Sequence, residues 1–308
     1  MKNKNYIIIT KLIFSLFLLI LSLFNFGLTI IILFLIELPV IRKSLLGKLP
    51  LDNEKKPWKD IKTFQYKEKL KLDIFYPKTQ GPHPLVFFAH GGGWISGYRR
   101  QPNNLSWYRV LVKNNFAVAS IDYSYAYFND IEKLLQDYDS ALSFIFKNSN
   151  DLNIDRNKIS LMGLSAGGHL ALLYSLTKNI KLKNIVVYYT PCDLMDIWES
   201  ESLFARFAVS TTLKRMPDKS MEIYKKYSPI NYIKADLPPI LLVHGIKDRI
   251  VPYISSLKMY KKLREYNNTS KILLHPKGDH GFEFVLKDRK TIEILQKTIE
   301  FLRGDLND

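Results

Sequence analysis

The sequence predicts an α/β domain with a mainly parallel sheet covered by helices on both faces, preceded by an apolar N-terminal segment. Three observations predict it. Short, almost wholly apolar runs recur from residue 60 onward, as expected of strands buried on both faces. Stretches with apolar residues at helical spacing stand between them. Two glycine-rich turns, His90–Gly97 (HGGGWISG) and Gly163–His169 (GLSAGGH), each follow such a run. In a parallel sheet, ligand sites lie beyond the carboxyl ends of the strands.

The first element is the apolar segment. No charged residue occurs from Leu12 to Ile36. About 18 apolar residues suffice to span a bilayer as a helix. A cleaved signal peptide fits poorly, because the apolar stretch exceeds about 15 residues and no small-x-small site follows it. Lys2, Lys4 and Lys11 precede the segment, and Arg42, Lys43 and Lys48 follow it. Asn25-Phe26-Gly27 divides it, so a single tilted span and a two-helix hairpin both remain open. The hairpin satisfies the positive-inside bias with both ends on one side. Residues 1–50 therefore read as a membrane anchor with the lipid bilayer as partner, and residues 51–308 as the α/β domain, opened by a polar linker (LDNEKKPWKD).

Within the domain, Thr63–Tyr66 and the alternating Lys69–Tyr76 predict two opening strands. Further strands are expected at Leu85–Ala89, Phe116–Ile121, Lys158–Met162, Lys183–Tyr189, Pro239–Val243 and Lys271–His275. Helices are expected at Asn104–Lys113, at Asp130–Phe146 with Leu134, Leu135, Tyr138, Leu142 and Ile145 on one face, after Gly167, and at Thr291–Leu302. The segment from about Leu194 to Tyr227 reads as a small helical cap inserted between two strands, its Trp198, Phe204, Phe207 and Met216 either walling a pocket or packing on the core.

Composition narrows the function. With 47% hydrophobic and 24% charged residues the chain is globular rather than disordered. Its net charge of +16 comes without a long Lys/Arg run or an interleaved aromatic ladder, so no nucleic-acid footprint is present. One cysteine, Cys192, excludes an internal disulfide and reads as a small buried residue.

Chemistry enters with the two glycine turns. Gly163-Leu-Ser165-Ala-Gly167 matches G-x-S-x-G, a sharp strand-to-helix turn that exposes its serine hydroxyl. The three glycines after His90 let backbone N–H groups aim at one point, where a carbonyl oxygen becomes an oxyanion. Gly92, Gly93 and Ala166 are the expected donors. A serine nucleophile needs a base held by a carboxylate, and in a strand–turn–helix site of this kind the acid and then the base follow the serine in the chain. His280, in the loop Lys277-Gly-Asp-His-Gly-Phe282, fits the base, whereas His275 sits inside an apolar run and reads as structural. Asp248, in the loop after Pro239–Gly245, fits the acid, with Asp193 and Asp279 as rivals. His244 reads as packing at its strand end, and His90 and His169 as braces for the glycine turns. No metal and no cofactor is called for.

HGGGWISG, IDYSYA, GLSAGGHLALL, PCDL, SPINYIKADLPPILLVHGIKDRIVP and GDHGF together resemble successive blocks of the α/β-hydrolase fold. The resemblance is to bacterial esterases grouped with feruloyl and acetyl-xylan esterases, near the hormone-sensitive-lipase-like carboxylesterases, and runs from about Lys69 to Leu302. It implies Ser165, Asp248 and His280 as nucleophile, acid and base. Two departures stand out. Asp122-Tyr-Ser-Tyr-Ala126 occupies the place of an arginine–leucine pair, which implies that a local salt link is missing. The N-terminal anchor is not usual there and speaks against a secreted polysaccharide-degrading enzyme. The expected activity is hydrolysis of a small-molecule carboxylic ester. An amidase or formamidase of the kynurenine formamidase kind and a catalytically silent binding module are the alternatives.

Overall fold

The computed structural model describes residues 46–305. The expected anchor, Leu12–Ile36, lies outside them, and among the described residues no helix is long and apolar enough to cross a membrane. The strands are β1 (Asp60–Lys67), β2 (Leu70–Tyr76), β3 (His83–Ala89), β4 (Ala117–Ile121), β5 (Ile154–Leu164), β6 (Ile185–Tyr188), β7 (Ile240–Gly245) and β8 (Ser270–His275). The main helices are α1 (Pro102–Lys113), α2 (Ile131–Lys147), α3 (Ala166–Thr177), α4 (Leu194–Trp198), α5 (Leu203–Leu213), α6 (Met221–Lys226), α7 (Ile254–Glu265), α8 (Phe282–Val285) and α9 (Arg289–Arg303).

One sheet runs in the order β1-β2-β4-β3-β5-β6-β7-β8. The β1–β2 and β2–β4 pairs are antiparallel, and every later pair is parallel. The expected strands and long helices are all present, most with ends moved by one to four residues. Each parallel strand is apolar on both sides because helices cover both faces. One core, with Leu85, Phe87, Leu161 and Leu242, lies under α2, α3 and α7. The other, with Val86, Phe88, Met162 and Val243, lies under α1 and α9. Burying each such side chain stabilises the fold by about 1.5–3 kcal/mol before entropy is subtracted.

Helix starts follow local chemistry. The Asp130 carboxylate accepts from the Lys133 N–H at the head of α2, and Asp288 accepts from Thr291 at the head of α9. The segment between β6 and β7 holds α4, α5 and α6 with two short 3₁₀ turns, Pro217–Lys219 and Pro229–Tyr232. The expected insert is thus helical, although none of its helices was placed from sequence. Short apolar helices lack the several turns that make a 3.6-residue period visible.

The expected gap in the salt links does not arise. Asp122 is paired by Arg99, whose Nε also lies 2.8 Å from Asp73 Oδ2 and whose backbone N–H donates to Asp122 Oδ1 at 2.9 Å. Arg100 Nε adds a 2.6 Å contact to Asp73, which is wholly buried. The arginine is therefore delivered by the loop after β3 rather than by the end of β4. Sequence reading missed this because the partner lies 23 residues upstream.

Candidate active site

Ser165 stands between β5 and α3, capping the helix with φ 50° and ψ −118°, a backbone state that costs energy for a residue with a Cβ. Two neighbouring glycines make that turn possible. A Cβ on Gly163 would lie 2.4 Å from the Gly168 nitrogen, and one on Gly167 would lie 2.3 Å from the Ala89 carbonyl oxygen. The turn is thereby pressed onto the end of β3, where the other glycine stretch begins. A Cβ on Gly91 would stand only 3.5 Å from that of Ser165. The Ser165 N–H donates to the Tyr188 carbonyl at 2.9 Å, tying the turn to β6 as well.

Two residues brace these turns. His90 stacks on Tyr123 with ring centroids 4.2 Å apart, and its Nδ1 lies 2.7 Å from the Gly91 oxygen. Burial pushes His90 down to about 4, so the ring is neutral and Nδ1–H is the donor. His169 is likewise pushed down to about 4 by burial; its Nε2 donates to the Tyr227 carbonyl of the insert at 2.8 Å, and its ring meets the edge of Trp94. Both therefore hold loops in place, and His169 reaches further than its own turn.

His280 follows β8, and its Nε2 lies 3.1 Å from Ser165 Oγ while its Nδ1 lies 2.8 Å from Asp248 Oδ2. The three residues come from loops after β5, β7 and β8, with sequence separations of 115 and 32 from His280. Asp248 is wholly buried and fully paired. Its Oδ1 accepts the N–H groups of Ile250 and Val251 at 2.8 and 2.9 Å, and its Oδ2 also faces His244 Nε2 at 3.3 Å. Burial alone would raise the carboxyl, but the His280 charge and the hydrogen bonds of His244 and His280 hold it well below the usual carboxylate range. Burial pulls His280 down, and Asp248 more than offsets it, so the imidazole ends above its ordinary value.

The rivals are occupied elsewhere. Asp193 caps α4 through the Met195 N–H at 3.0 Å, and Asp279 pairs with Arg249. His275 is buried against Asp288 and Thr291. Cys192 is buried, which pushes its thiol far up and leaves it unreactive. The N–H groups of Gly92, Gly93 and Ala166 donate to no acceptor among the described residues. Gly92 and Gly93 have φ of 125° and 60°, and α5 packs over Gly93, where a Cβ would meet Phe204 and Ala208. Among the described residues no cluster of side chains suits a metal ion.

Three neighbours escaped the sequence reading. His244 does more than pack, because it shares Asp248 with His280 while its Nδ1 takes a hydrogen bond from Ser256 at 2.7 Å. Tyr189 lays its ring 4.4 Å from that of His280. The Tyr189 hydroxyl donates to Glu283 Oε1 at 2.7 Å, and Glu283 Oε2 meets no partner among the described residues. Burial pushes the Glu283 carboxyl up to about 7. Below pH 4.5 it is protonated in folded and unfolded chains alike; as pH rises towards 7 the unfolded chain loses the proton first, so stability drains through that window. Between pH 4 and pH 8 the wild type should lose about 3 kcal/mol more unfolding free energy than Glu283→Gln. Urea unfolding at the two pH values measures this, and equal losses in both proteins would contradict it.

An eight-stranded, mostly parallel sheet with a serine on the tight turn after β5 and its partners in later strand-end loops is the α/β-hydrolase fold. The chain belongs to the BD-FAE family, whose model matches residues 72–263. It is similar to Esterase LipC of Mycobacterium tuberculosis, 27% identical over 238 residues, covering 70% of this chain and 57% of that one. It is also 28% identical over 230 residues to a probable isoprenylcysteine alpha-carbonyl methylesterase of Arabidopsis thaliana, covering 68% and 48%. The chain thus spans about half the length of these curated relatives. Among solved structures, a truncated carbohydrate esterase from gut microbiota superposes with a TM-score of 0.73 at 20% identity, over 84% of this chain and 99% of that one.

Proposed function

We propose that the chain is a serine carboxylic-ester hydrolase held at a membrane by its N-terminal segment. The observation that carries the reading is the continuous line Ser165 Oγ, His280 Nε2, His280 Nδ1, Asp248 Oδ2, with contacts of 3.1 and 2.8 Å. Membership of the BD-FAE family and relatives named as esterases support it.

In this reading Ser165 Oγ attacks the ester carbon and its proton passes to His280 Nε2. The carbonyl oxygen becomes an oxyanion among the free N–H groups of Gly92, Gly93 and Ala166. The His280 proton then goes to the leaving alkoxide, and the acyl group stays on Ser165. Water, deprotonated by His280, releases the acid and restores the serine. Asp248 keeps the Nδ1 proton in place throughout. The helices α4 to α6 act as the cap, and α5, lying over Gly93, bounds the acyl side of the site.

An active nucleophile is tested by labelling with a fluorophosphonate probe and by turnover of p-nitrophenyl acetate. We expect both, together with faster hydrolysis of an aryl ester than of the matched aryl formamide. No labelling and no turnover would end the proposal, and a faster formamide rate would replace the ester by an amide as substrate.

A further inference from the structure

Large apolar side chains left exposed on this domain are distributed unevenly. Among the described residues all but three, Ile254, Tyr266 and Val285, lie in strand-end loops, in the helical insert, or at the start of the described chain. Phe128 is 89% exposed and Tyr127 51%, in the loop after β4. That loop is fastened on both sides. The Tyr125 hydroxyl donates to the Gly97 carbonyl at 2.6 Å, beside the exposed Tyr98, and Lys214 Nζ donates to the Ala126 carbonyl. The Tyr127 ring lies 6.2 Å from Phe207 on α5, the helix that covers Gly93 and bears the exposed Leu203. Exposed apolar side chains therefore rim the glycine loop and α5. A group of exposed large apolar side chains marks a surface that meets a partner or a membrane.

The course of the chain into the domain says what covers it. Lys48 offers its carbonyl to Lys287, whose Nζ also donates to the Phe284 carbonyl in α8, the short helix after β8. The Leu49 N–H donates to Ser106 in the first turns of α1, Asp52 accepts from Ser106 and pairs with Arg109, and Asn53 accepts from Lys113 at the far end of α1. Helix α1 leaves the carboxyl edge of the sheet and descends towards the start of β4. The chain thus enters at the carboxyl edge, the edge that bears Ser165, and runs down from there. Only nine residues separate Leu46 from Ile36, the end of the uncharged stretch. A net charge of +16 adds attraction to an anionic lipid surface.

We propose that this rim is a bilayer-docking surface that turns the mouth of the Ser165 site towards lipid, so that the ester taken is one dissolved in the membrane. The substrate half rests on the ester-hydrolase reading above; the docking half does not. An exposed phenylalanine and tyrosines, with their mixed apolar and polar character, suit the headgroup boundary. An amphiphile then reaches Ser165 without its acyl chain crossing water.

The test uses the full chain reconstituted in vesicles of mixed zwitterionic and anionic phospholipid. Phe128→Cys and Tyr266→Cys are each labelled with an environment-sensitive fluorophore, and the buried Cys192 leaves those positions as the reactive thiols. We expect quenching by spin-labelled lipid to be at least about fivefold greater at position 128 than at 266. Equal quenching overturns the docking surface. A label at 128 that is shielded from water yet unquenched by lipid, with cross-linking between two such positions, overturns it in favour of a second copy of the chain. For the substrate, the wild type should hydrolyse a long-chain umbelliferyl ester at least about tenfold faster in its own vesicles than in separate protein-free ones. Equal rates, with p-nitrophenyl acetate still turned over, overturn the membrane substrate and leave the hydrolase. Lipid quenching at 128 without any ester turnover overturns the hydrolase and leaves the surface.

Discussion

Ser165→Ala is expected to lower kcat on p-nitrophenyl acetate by about six orders of magnitude, to a residue set by binding and the N–H groups of the glycine loop. The size follows from the geometry. In the proposed mechanism Ser165 Oγ is the only atom of the line that forms a bond to the substrate carbon, and His280 Nε2, the proposed base, stands 3.1 Å away. Without it, water must attack from bulk and the acyl-enzyme is lost. The fold should survive the change, because the side-chain hydroxyl carries no structural bond besides His280, and alanine relaxes nothing in the φ 50° turn. Single-turnover kinetics with active-site titration measures it. A variant that keeps more than a thousandth of the activity would remove Ser165 from the chemistry.

Asp248→Asn is expected to cost about four orders of magnitude in kcat, again with the fold intact. The two oxygens of Asp248 are unequal. Oδ1 takes two backbone N–H groups, from Ile250 and Val251, so an asparagine must place its oxygen there. Its NH₂ then faces His280 Nδ1, 2.8 Å away in the wild type. A donor at that position forces the imidazole proton onto Nε2, and an Nε2–H cannot accept the serine proton. The charge is lost too. Burial draws the His280 imidazole down and the Asp248 carboxylate holds it up, so the acid limb of kcat/KM should move to lower pH in the variant. A pH–rate profile measures both effects. A variant with wild-type kcat, or with an unmoved acid limb, would show that Asp248 neither orients nor supports His280.

Much of this arrangement was legible from one sequence. Strands such as Leu85–Ala89 are runs of apolar residues because both faces of the sheet are covered, and that pattern is local. The turn at Ser165 was legible because its neighbours must be glycine; contact of Gly167 with the Ala89 carbonyl leaves no room for a Cβ. His280 and Asp248 were expected from their order after the serine and their position beyond strands, and the structure brings the two side chains together with Ser165. Arg99, His244, Tyr189 and Glu283 were not found in their roles. Each acts through a residue on another element, and no spacing rule connects position 99 to 122 or 189 to 283.

By itself the sequence determined the sheet, its strand-end turns and the residue types able to do acyl chemistry, because periodicity and glycine requirements are written within a few residues. It also set the uncharged N-terminal stretch. Only the tertiary structure decided that Asp193 and Asp279 pair elsewhere, how Asp73 and Asp122 are neutralised, and on which edge the exposed aromatics and the chain entry coincide. Those are outcomes of distance and burial between elements far apart in the chain, and charge and hydrogen-bond energies depend steeply on both.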